Sequence, residues 1–95
     1  MSEINIIKPS PFESVDDFKF SLIHGREIEF VWKNKSYGVF KENENGVEKF
    51  FIGESYKNDG EGTYFATVEE LLNFEIQGQQ LKEIITQVQV EWRNL

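Results

Sequence analysis

From Glu27 onward the chain changes side at every residue. Ile28, Phe30 and Trp32 alternate with Glu27, Glu29 and Lys33. A period of two belongs to an extended strand, in which residues i and i+2 share a face. Two turn signals follow, Asn34-Lys35 and Asn45-Gly46. Asparagine tolerates positive φ, and Asn-Gly suits the two-residue turn that joins antiparallel strands. The runs before, between and after these turns therefore predict a three-stranded meander. With turns at 34–35 and 45–46, Trp32 lies opposite Tyr37, Phe30 opposite Val39, and Val39 opposite Ile52. Ile28, Phe30, Trp32, Tyr37, Val39, Phe50 and Ile52 then share one face. A slip of one residue would scatter them over both faces.

The other face is less expected. It carries Glu29, Val31, Gly38, Phe40, Phe51 and Gly53, where a solvated sheet face would be polar. Phe40 and Phe51 lie side by side in this register, close to Val31, and Gly38 faces Gly53 across bare backbone. Three readings fit Val31, Phe40 and Phe51. A helix or the N-terminal segment covers them as a second small core, two copies pack there as a homodimer, or the patch docks another protein.

The flanking segments change period. Ile4, Ile6 and Ile7 suggest a short edge strand in the lead-in. Ser10-Pro11-Phe12-Glu13 and Ser14-Val15-Asp16-Asp17 both have the form of a helix start. Val15, Phe18 and Leu22 make one apolar stripe, and Gly25 predicts a stop in a left-handed conformation. His24, the sole histidine, falls in the last turn, where a cation or donor suits unpaired carbonyls. Residues 55–63 form a loop rich in turn formers. Thr63 to Ala66 predicts a fourth short strand, and Thr67-Val68-Glu69-Glu70 a capping box. Gly78 interrupts the segment that follows. Leu81, Ile84, Ile85 and Val88 make a second helical stripe, and residues 88–93 read as a closing strand, with helix the alternative.

Size and composition limit the chemistry. A chain of 95 residues suits one domain, 1–95, with little stability to spare. There is no cysteine, which removes disulfides and thiolate metal sites. The loop around Gly60 and Gly62 lacks the terminal acid of a calcium loop and the spacing of a phosphate loop. Glu27 and Glu29 lie about 7 Å apart by strand rise, a separation that suits two-carboxylate chemistry, but the sequence shows no cleft beside them. No catalytic set, metal site, cofactor or small-molecule substrate is expected. The net charge of −7 repels phosphate backbones, so direct nucleic-acid binding is not expected either. No apolar run or signal segment points to a membrane or to export, and the cytoplasm is the expected compartment.

The layout is similar to small uncharacterised α+β proteins of Gram-positive bacteria and their phages. The stretches "GREIEFVWKNKSYGV" and "TVEELLNFEIQGQQLKEI" carry the resemblance. It implies a fold and brings no activity. The fold expected is α+β: an N-terminal helix, a three- to four-stranded antiparallel meander, one or two C-terminal helices on one sheet face, and a closing strand. The expected function is a non-enzymatic protein-interaction module, a homodimer or an adaptor, using Val31, Phe40 and Phe51. The alternative is an acidic inhibitor that presents carboxylates to a nucleic-acid-binding enzyme, through Glu42, Glu44, Glu48, Glu54, Asp59 and Glu61.

Overall fold

The computed structural model describes residues 9–25, 27–55 and 62–93. The lead-in strand at Ile4, Ile6 and Ile7, and the loop acids Asp59 and Glu61, lie outside the described residues. Helix α1 runs Val15–His24, and strands β1 (Glu27–Trp32), β2 (Lys35–Glu44) and β3 (Val47–Glu54) follow. Then come β4 (Thr63–Phe65), α2 (Val68–Asn73), a small hairpin of β5 (Glu75–Ile76) and β6 (Gln79–Gln80), α3 (Leu81–Ile84) and β7 (Gln89–Arg93). The main sheet has five strands in the order β4-β3-β2-β1-β7, paired antiparallel. The α+β architecture, the N-terminal helix, the meander, the C-terminal helices and the closing strand all appear.

Local chemistry explains the helix starts. Ser14 is the N-cap of α1, its hydroxyl accepting from the Asp17 N–H at 3.0 Å. Thr67 and Glu70 form the reciprocal capping box of α2, each side chain accepting the other's backbone N–H. The end of α1 departs from expectation. Gly25 is extended, with φ −100 and ψ −163, so the stop needs no left-handed residue. The cation at this helix end comes from β2: Lys41 Nζ donates to the Ile23 carbonyl at 2.6 Å. His24 is exposed and its ring lies 4.3 Å from that of Phe20.

One sheet face makes the core. Ile28, Phe30, Tyr37, Val39, Phe50 and Ile52 are buried in one cluster with Phe18 and Leu22 of α1, Leu71 and Leu72 of α2, and Leu81 and Ile84 of α3. Trp32 packs at its margin. The second hairpin has the expected register, with Val39 opposite Ile52 and Asn45 and Gly46 at φ 55 and 84. The first does not. Its turn residues are Lys33 and Asn34, at φ 48 and 68, so Phe30 faces Tyr37 and Ile28 faces Val39. The pairing is displaced by two residues, which preserves the face of every side chain while changing its partner.

Strand β7 contains a bulge. Phe30 faces Val90, but Glu29 faces Trp92, so Glu91 is the extra residue on β7. A bulge re-aims the side chains beyond it. Trp92 therefore leaves the side of Val90 and is 53% exposed, while Arg93 turns toward α1 with its side chain 5% exposed. There Arg93 donates to Asp17 Oδ1 and Ser21 Oγ, both at 2.7 Å, and to the carbonyls of Ser10 and Pro11. Its guanidinium also lies 4.4 Å from the Phe12 ring centroid. The Arg93 hydrogen bond, helped by the Glu13 N–H, holds the Asp17 carboxyl below the usual carboxylate range.

Candidate functional site

The candidate site lies on the sheet face turned away from the core cluster, and strand alternation builds it. Opposed residues in an antiparallel pair share a face. Tyr64, Phe51, Phe40 and Glu27 form one row across β4, β3, β2 and β1. Gly53, Gly38, Glu29 and Trp92 form the next, across β3, β2, β1 and β7. The first row is aromatic along three strands. The second has no side chain on two of its four.

The aromatic row is continuous. Phe40 and Phe51 stack with centroids 4.7 Å apart, and Tyr64 meets Phe51 edge-on at 5.0 Å. Phe51 is buried by these neighbours and by Gly62, where an added Cβ would strike the Phe51 ring and approach the Ile52 carbonyl to 2.6 Å. Phe40 is half-buried and Tyr64 is 51% exposed. Among the described residues the cover of Phe51 comes from Tyr64 of β4 and from Gly62 rather than from α1, α2 or α3, while most of the N-terminal segment, the other cover expected, lies outside the described residues.

Beside the row lies a groove of about 320 Å³, lined by Glu27, Glu29, Gly38, Phe40, Phe51, Gly53, Glu54 and Ser55. Gly38 and Gly53 face each other and leave the floor as bare backbone. Glu27 and Glu29 stand along one side. The second hairpin places Gly38 opposite Gly53 beside Phe40 and Phe51, as its turn predicts, and the displaced first hairpin then brings Glu29 next to Gly38 and Glu27 next to Phe40, which alternation alone did not reveal. Among the described residues no basic side chain lines it. A second cleft, of about 520 Å³, has Tyr37, Ile52, Phe74, Gln77, Lys35 and Glu54 among its lining residues.

Val31 does not belong to the cluster. It faces Ser36, whereas Phe40 faces Glu27, four residues back along β1. The displaced first hairpin is the reason: it keeps Val31 on the outer face but slides it away from Phe40 and Phe51. Tyr64 and Trp92 take its place as the exposed aromatics of this face. The signal for Tyr64 was its position in a short strand after the loop. The signal for Trp92 was hidden by the bulge.

The described acidic rim is divided. Glu42 and Glu44 point to the outer face, while Glu48 and Glu54 share the side of Lys41 and Tyr37. Three of these four sit near lysines, with Glu44 3.3 Å from Lys49, Glu48 3.5 Å from Lys41 and Glu54 3.8 Å from Lys35. Among the described residues no group of three histidine, aspartate or glutamate side chains is placed to hold a metal ion, and no helix is long and apolar enough to cross a membrane. Compared with known protein families, with curated proteins and with solved structures, the chain finds no match.

Proposed function

We propose that the chain is a non-enzymatic protein-interaction module whose outer sheet face meets another protein. The observation that carries this reading is the stacked Phe40–Phe51 pair with half-exposed Tyr64 beside an open groove, on the face the helices leave alone. Two partly exposed rings held in place by a buried third form the kind of aromatic anchor on which interfaces concentrate their binding energy. A homodimer is the less favoured form, since a two-fold contact would bring the Glu27 and Glu29 side of one copy against the same patch of the other. The acidic-inhibitor reading is also less favoured, because the four described rim carboxylates are split between two faces and three of them sit near lysines.

The test uses immobilised protein and mass spectrometry of what it retains. A partner held by the wild type should be lost with Phe40→Ser/Tyr64→Ser and kept with Glu42→Lys/Glu44→Lys/Glu48→Lys. The opposite pattern would move the function to the acidic rim. Light scattering at high protein concentration separates self-association, where the serine variant should lower the measured mass, from binding to a different chain.

A further inference from the structure

Resting on the reading that the outer face meets another protein, we infer that the groove beside Phe40 receives an arginine side chain of that partner. The argument is charge and shape together. Glu27 and Glu29 flank a floor from which Gly38 and Gly53 have removed every side chain. No cation among the described residues lines the space. Glu29 lies between Gly38 on one side and Trp92 on the other. A cation entering there meets two carboxylates about 7 Å apart by strand rise, with the Phe40 and Phe51 rings lining the space and Trp92 beyond Glu29 on the neighbouring strand. Arginine fits this combination better than lysine. Its planar group stacks on aromatic faces and its fork of donors can reach two carboxylates at once. Glycine matters in the floor because a guanidinium must lie close to the sheet to touch Glu29 and Phe40 together.

The experiment uses the full chain and a defined probe, acetyl-Gly-Phe-Arg-Phe-Gly-amide, with matched peptides carrying glutamine or lysine in place of arginine. Two readouts are followed: amide chemical shifts at Glu29, Gly38, Phe40 and Gly53, and emission from Trp92 in a Trp32→Phe background. The arginine peptide should give saturable changes in both. Binding should weaken about tenfold or more for the glutamine peptide and for Glu27→Gln/Glu29→Gln, because each loses a charge-assisted pair, and it should fall as salt rises. Gly38→Val, whose Cβ would meet only Ser55 Oγ at 3.8 Å, should block the groove while the sheet stays folded by circular dichroism. Equal binding of the arginine and glutamine peptides at Phe40 and Tyr64 would overturn the arginine site and leave the interaction face standing. Lysine binding as tightly as arginine would overturn the choice of guanidinium. No binding of any peptide would overturn the inference, while the Phe40/Tyr64 capture experiment decides the broader reading independently.

Discussion

The inner and outer faces of the sheet are built from the same strands and differ in what lies over them. On the inner face Phe30, Val39 and Ile52 are 0 to 2% exposed and meet helices. On the outer face the neighbouring positions are Gly38, Gly53, Glu27 and Glu29, with aromatic rings gathered toward β4. Folding requires the first arrangement, because only the inner face closes the core around α1, α2 and α3. It does not require a stacked aromatic pair beside a bare floor. A feature that stability does not demand is the better place to look for function.

Unfolding by urea should separate the faces most clearly at paired positions. Phe30→Ala removes a fully buried ring stacked on Tyr37 and should cost about 3–5 kcal/mol. Phe40→Ala should cost about 1–2 kcal/mol, since its ring is only half covered. Equal losses would erase the distinction between core and surface.

Arg93→Met should come next, at about 2–3 kcal/mol, below the full cost of breaking a buried pair because Asp17 stays partly in water. The variant should also flatten the acid arm of the stability curve. Asp17 has a lowered pKa in the fold, so its contribution is fully present above its unfolded value. It is lost as pH falls below about 4 and through the folded value. Urea midpoints measured from pH 6 down to pH 2 should therefore fall less in Arg93→Met than in the wild type.

Two glycines sharpen the outer face itself. Gly62→Ala drives a methyl into the Phe51 ring and should cost about 1–3 kcal/mol. Gly38→Ala meets nothing closer than 3.8 Å and should change stability by less than about 1 kcal/mol. An effect of similar modest size is expected far from either face: Thr67→Ala removes the α2 cap and should lower stability by about 1 kcal/mol in the same assay.

The first hairpin shows how much of this was legible in the sequence. Hydrophobic alternation assigns side chains to a face, and the positions it assigned, from Ile28, Phe30 and Val39 on the core side to Val31, Phe40 and Phe51 on the other, lie on the faces expected. It does not distinguish registers that differ by two, because both satisfy the same alternation. Taking Asn34 as the first turn residue, when it is the second, placed Val31 beside Phe40. Asn45-Gly46 carried no such ambiguity, and the Phe40–Phe51 pair followed from it. The Arg93 network left no local signal, since its partners at Ser10, Pro11, Asp17 and Ser21 are joined only by the fold. The β5–β6 hairpin was missed because strands of two residues are too short to show a period, although Gln77-Gly78 adopts the positive φ angles of a tight turn.

The extra residue at Glu91 acts as a frame marker for the strand that follows it. Were Glu91 to enter the ladder opposite Glu29 instead of bulging out, the two residues after it would exchange sides, turning the indole toward the core and the guanidinium away from Asp17. The exposed tryptophan and the arginine clamp therefore rest on one irregularity of the strand and would be lost together.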